Sequence, residues 1–145
     1  PMVVPGYWEN PEATASAVDH GWLRTGDVGV VDSEGFLYIA DRIKDMINRG
    51  GEKIFCVEVE NVLYTHPKIL EAAVVGVPDE VFGEACKAVV VPFPGQSLEA
   101  DEVREWVARH LAKFKIPKYV EFVAALPRNP GGKVIKPQLR YIPDQ

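Results

Sequence analysis

Cysteine is scarce, long apolar runs are missing and nothing repeats, and each shortage removes a class of protein. The two cysteines, Cys56 and Cys86, stand in separate apolar segments with neither CxxC nor histidine spacing around them. Packed free thiols are therefore expected in place of a disulfide or a structural metal, and no metal ligand is assigned. No apolar stretch approaches the roughly 18 residues that cross a bilayer, and no charged-then-apolar leader opens the chain. The expectation is a soluble, cytoplasmic protein. The opening Pro1-Met2-Val3-Val4-Pro5 lacks an initiator methionine and runs at once into dense sequence, as expected of a fragment. There is no low-complexity tract, and no glycine-rich βα turn of the dinucleotide-binding kind, which argues against a doubly wound sheet.

What is present suits one globular domain with an appendage: 145 residues, 47% hydrophobic, 10% aromatic and 26% charged, with a net charge of −5. The charge is uneven. Residues 1–43 hold seven acids against Arg24 and Arg42, whereas from Lys113 to Arg140 seven basic residues face only Glu121. That local surplus would favour a phosphorylated small molecule. Nucleic acid is not expected as a partner, because the whole chain is acidic and its basic residues are not interleaved with stacking aromatics.

Val28 to Asp41 reads as strand, turn and strand around Asp32-Ser33-Glu34-Gly35. The charged stretch 41–45 then interrupts the apolar pattern, and the domain boundary is placed there. A second hairpin is expected about Gly50-Gly51, whose bare tip lets a ligand approach the backbone. Val57 to Thr65 has helical spacing and stops before His66-Pro67. Ala72–Val77 and Ala85–Val91 read as buried strands, Glu99–Phe114 as the clearest helix, and Tyr119–Ala124 as a third strand. A loop at 127–132 precedes a short helical turn opened by Pro137. The class is α+β: a three-stranded sheet flanked by helices. His20, His66 and His110 lack partners that suggest catalysis and are expected at the surface or the edge of the core.

Five signatures then stand in order: Gly6-Tyr7-Trp8 with residues 10–14 (NPEAT), Thr25-Gly26-Asp27, residues 41–45 (DRIKD), residues 50–54 (GGEKI), and Pro130-Gly131-Gly132-Lys133. Residues 78–84 (PDEVFGE) lie between the last two. With these motifs at these intervals the chain resembles, over essentially its whole length, the adenylate-forming superfamily of acyl-CoA synthetases, peptide-synthetase adenylation domains and beetle luciferases. Its wording is nearest to fatty or aryl acyl-CoA ligases.

The resemblance implies that residues 1–43 end an N-terminal AMP-binding domain and that residues 44–145 form a mobile C-terminal domain. It implies an ATP-dependent ligase that activates a carboxylic acid as acyl-AMP and passes the acyl group to coenzyme A, with Mg2+ held mainly by the N-terminal domain. By resemblance, Asp27 holds the ribose hydroxyls of ATP or AMP and Arg42 reaches the ribose and phosphate region. Lys44 is the hinge, Gly50, Gly51 and Glu52 line the pantetheine path, and Lys133 bridges the carboxylate and the α-phosphate. The residues alone leave plainer readings open: an Asx-turn aspartate, a solvated arginine, a linker lysine, an ordinary hairpin turn and a solvated loop lysine. A silent nucleotide-binding module and a carrier-loading or luciferase-like enzyme are the rival functions. Cys56 stands where many relatives have a small residue or proline. The phosphate-cradling loop and the acyl pocket lie upstream of this sequence, so the fragment alone is expected to be inactive.

Overall fold

Asn10 turns its Oδ1 onto the Ala13 amide at 2.9 Å, and Pro11 fills the first helical position, so a short helix starts there. This helix, α1 (Pro11–Ala17), was not anticipated by the reading of the sequence above, although both signals are local. The computed structural model describes residues 4–141, and the chain divides into two units, Pro1–Lys44 and Asp45–Gln145.

In the first unit α1 is followed by the small hairpin β1 (Val18–Asp19) and β2 (Trp22–Leu23) and by the expected hairpin β3 (Asp27–Val31) and β4 (Leu37–Arg42). Asp32 closes the larger turn by accepting the Glu34 and Phe36 amides, each at 2.9 Å. Those amides, Phe36 first, hold its carboxyl below the ordinary range. None of the described residues of this unit is buried, and Val30, Val31, Phe36, Leu37, Tyr38 and Ile39 are all exposed.

The second unit contains β5 (Ile47–Arg49), β6 (Glu52–Ile54), α2 (Cys56–Tyr64), β7 (Ile69–Asp79), β8 (Gly83–Pro92), α3 (Ala100–His110) and β9 (Tyr119–Phe122). The class is α+β, as expected, but the sheet has five strands where three were expected. Its order is β6-β5-β8-β7, and β9 pairs in parallel with β8. The two extra strands are the glycine-tipped hairpin, which joins the sheet where Arg49 meets Gly83 and where the Glu84 carboxylate takes the Asn48 amide at 2.7 Å. Those partners lie far apart in sequence, so local pattern cannot reveal them. The helix α3 is also shorter than expected. Leu111 leaves it in an extended conformation, yet Leu111 and Phe114 still pack against the core through a 3₁₀ turn at Lys113–Lys115. The proline at 117 disfavours helix at Ile116 and directs the chain into β9.

Alternate residues of β7 and β8 point into two buried clusters. Ala72, Val74, Cys86, Ala88 and Val90 meet Cys56, Val59 and Leu63 of α2 and Val103 and Val107 of α3. Ala73, Val75, Val77, Ala85, Val89 and Val91 meet Leu126, Val134 and Leu139 from the end of the chain. Burial on both faces explains why these strands read as continuous apolar runs. Of the two places expected for His66, the surface is ruled out: it is buried, edge-on to Trp106 with ring centroids 4.8 Å apart. Burial lowers its pKa against the opposing pull of Glu102. Both cysteines are buried and no disulfide joins them, and burial raises the Cys86 thiol well above its ordinary value. No helix among the described residues is long and apolar enough to cross a membrane.

Candidate functional site

Asp27 and Arg42 face each other across the first pair of the β3–β4 ladder, and Arg42 Nε lies 3.5 Å from Asp27 Oδ1. That spacing is an ion pair but too long for a tight hydrogen bond, so both groups keep capacity for a third partner. The preceding turn is held by Thr25, whose Oγ1 accepts the Asp27 amide at 3.2 Å, and by Gly26 at φ +76°, not by the Asp27 side chain. Beside the pair a recess of about 340 Å3 is lined by Thr25, Gly26, Arg42, Ile43 and Lys44. The sequence readings at 27, 42 and 44 thus converge on one place. Lys44 itself is exposed in the turn that follows β4.

Gly50 and Gly51 form the tip between β5 and β6 at φ +58° and +95°, and Glu52 begins β6 with an exposed side chain. Two consecutive positive φ values are what a two-residue hairpin of this hand requires. The tip is held from within and from the side. Asn48 Oδ1 accepts the Gly51 amide at 3.1 Å, Phe82 O accepts the Gly50 amide at 2.8 Å, and the Arg49 guanidinium stacks 3.8 Å over the Phe82 ring. Phe82 is in turn set by Asp79, whose Oδ1 accepts the Val81 and Phe82 amides at 3.0 and 2.9 Å while Oδ2 meets Lys118 Nζ at 2.5 Å. Lys118 first, and then these amides, hold the Asp79 carboxyl at about 2.

Lys133 lies on a different connection of the same unit. Its loop is closed on itself. Asn129 accepts the Lys133 amide on Oδ1 and donates its own amide to Lys133 O, both at 2.9 Å, and Arg128 pairs with Val134 across the base. The Arg128 guanidinium also donates to Gly132 O at 2.7 Å. Lys133 is exposed, and among the described residues its ammonium makes no ion pair. By contrast Lys115, Lys118, Arg128 and Lys136, counted in sequence as part of a basic surplus, face Glu58, Asp79, Glu71 and Glu60 at 2.6, 2.5, 3.0 and 2.9 Å. The surplus is largely neutralised by acids brought in from other elements. Lys133 is left as an uncommitted cation at the end of a braced backbone, which is the form an electrostatic catalyst takes.

Reading the sequence did not single out Asn129, Asp79 or Lys87. Asn129 had a signal, since a short amide side chain before Pro-Gly-Gly can close a turn on itself. Lys87 had one too, as the lone charge within the apolar run 85–91. Nothing local marks Asp79 as the support of a hairpin that lies elsewhere in the chain.

The family described as AMP-binding enzyme C-terminal domain matches residues 58–133, a stretch that ends on Lys133. Feruloyl-CoA synthase of an Amycolatopsis species is 48% identical over 140 residues, covering 97% of this chain and 28% of that protein. The long-chain-fatty-acid–CoA ligase FadD13 of Mycobacterium tuberculosis is 48% identical over 139 residues, covering 96% and 27%. The structure of amide bond synthetase McbA from Marinactinospora thermotolerans matches with a TM-score of 0.87 and 43% identity, over 96% of this chain and 29% of that one. The chain therefore spans little more than a quarter of the length of the relatives it matches. With more than half of its residues inside the family match and the fold shared with a solved relative, the chain belongs to the AMP-binding enzyme C-terminal domain family.

Proposed function

We propose that this chain is the C-terminal portion of an ATP-dependent acid:CoA ligase. In this reading a carboxylate attacks ATP to give acyl-AMP and pyrophosphate, and the thiol of coenzyme A then displaces AMP. The observation that carries it is Lys133, an exposed cation without an ion pair among the described residues, held at the end of a loop closed by Asn129. Its ammonium offers a point charge to the negative charge that moves from the carboxylate to the α-phosphate. Asp27 accepts the ribose hydroxyls and Arg42 answers the phosphate side. Lys44 is the hinge, and the tip Gly50-Gly51 with Glu52 lines the path of the pantetheine arm. Mg2+ is held mainly by the N-terminal domain, on which the exposed apolar hairpin of residues 1–43 packs. The setting is cytoplasmic, with the carboxylic acid, ATP and coenzyme A as the small-molecule partners.

The similarity to an amide bond synthetase supports a second reading, in which an amine replaces the thiol as acyl acceptor. Both share the first half-reaction. The test is to give the full-length protein ATP and a panel of carboxylic acids and to measure pyrophosphate release, then to supply coenzyme A or an amine and identify the product. Acyl-CoA is the expected product. Amide formation with coenzyme A ignored would favour the second reading, and acid-independent nucleotide binding alone would reduce the chain to a silent module. The 145-residue chain by itself is expected to release no pyrophosphate.

A further inference from the structure

Lys87 lies on the central strand β8, within the otherwise apolar run 85–91, and is 1% exposed. Its ammonium has three acceptors: the Glu121 carboxylate at 2.6 Å, the Leu139 carbonyl at 3.0 Å and the Tyr141 carbonyl. Three N–H donors are thus matched by three oxygens. Two of those oxygens belong to the segment that directly follows the Lys133 loop. The same loop is tied at its start by Arg128, which spans from Gly132 O to Glu71 of β7 at 2.7 and 3.0 Å. It is tied at its end by Lys136, 2.9 Å from Glu60 of α2, and Glu60 also takes the Val74 amide at 2.8 Å. Burial pulls the Lys136 ammonium down, but Glu60 outweighs it and the net shift is upward. The cation at residue 133 therefore stands between anchors that reach α2, β7 and β8.

A methionine or leucine would fill the space at residue 87 and, in general, serve a core as well as a buried charge does. What an apolar side chain cannot do is hold two carbonyls of a neighbouring segment in fixed directions. We infer that Lys87 is a positioning residue for adenylation: it fixes residues 136–141, and through them the loop that presents Lys133. The inference rests on the role of Lys133 proposed above.

The experiment compares Lys87→Met, Lys133→Ala and the double variant in the full-length protein. Acid-dependent ATP–pyrophosphate exchange is assayed apart from thioester formation from supplied acyl-adenylate and coenzyme A. Lys87→Met is expected to lower kcat for adenylation roughly 10- to 100-fold, as a displacement of about 1 Å can do, with KM for ATP and the thioester step unchanged. In the double variant Lys87→Met should add nothing to the loss caused by Lys133→Ala, since it acts through that residue. Equal losses in both half-reactions, independent losses in the double variant, or an unimpaired Lys87→Met would each overturn the inference. If Lys87→Met does not fold, Lys87→Gln, whose shorter amide offers two N–H donors in place of three, is judged by the same outcomes. An impaired Lys133→Ala beside an unimpaired Lys87→Met would sink only the anchorage. An unimpaired Lys133→Ala would sink the role of Lys133 and the anchorage with it.

Discussion

A β-carbon added at Gly50 would come within 2.9 Å of the Phe82 ring, whereas one added at Gly51 would meet nothing within 4 Å. The two glycines of one turn therefore serve different ends. Gly50 allows the stacked support of Phe82 and Arg49 to sit close, and Gly51 keeps the outward side of the tip bare. Gly51→Leu separates fold from function, because in this unit its cost is confined to the backbone at φ +95°, roughly 1–2 kcal/mol for an L residue. The full-length variant is expected to lose about that much stability, to adenylate at close to the parent rate, and to show a raised KM for coenzyme A. Thermal melting and the two half-reaction assays check it. Unaltered coenzyme A kinetics in a folded variant would remove the tip from the acceptor path.

At the scale of elements, the β7–β8 connection is held by one carboxylate. The folded Asp79 carboxyl titrates at about 2, below its ordinary 3.8, so its contribution to stability is complete above the ordinary value and is lost as pH falls through the folded one. Asp79→Asn should lower the urea midpoint of the chain at pH 7, and the gap from the parent should close between about pH 4 and pH 2. A gap that stays constant across that range would mean that the charge of Asp79 does nothing for the fold. The hairpins β3–β4 and β5–β6 were legible because glycine marks their turns, whereas the small hairpin β1–β2 was not anticipated although Gly21 stands in its turn; α2 was placed within a residue because His66-Pro67 ends it. The end of α3 was not, since its apolar spacing continues through Leu111 and Phe114 after the helix has stopped. Asp27, Arg42 and Lys133 could be named from motifs. Asn129 acts within four residues, but Asp79 through Lys118 and Lys87 through Glu121, Leu139 and Tyr141 act by pairings that local pattern does not encode. The basic surplus near the end of the chain is smaller in the fold than in the sequence for the same reason, as counter-charges to Lys115, Lys118, Arg128 and Lys136 come from α2 and β7.

At the scale of the whole molecule, the two units differ in kind. The second buries clusters on both faces of its sheet, and the first buries none of its described residues. A hairpin with so much exposed apolar surface has the character of a packing face, and the chain spans 28% of a relative such as feruloyl-CoA synthase. In the function proposed above, adenylation falls to a braced lysine on the second unit and acyl transfer to a glycine tip on another connection of that unit, with Lys44 as the proposed hinge. Lys133 is thereby proposed to serve the first half-reaction and not the second. The most direct measurement is Lys133→Ala in the full-length protein, with adenylation and thioester formation from supplied acyl-adenylate followed separately. Losing one preorganised charge should slow adenylation about 100- to 1,000-fold while the supplied adenylate is converted at the parent rate. Normal adenylation, or equal failure of both steps in a variant that folds, would contradict it.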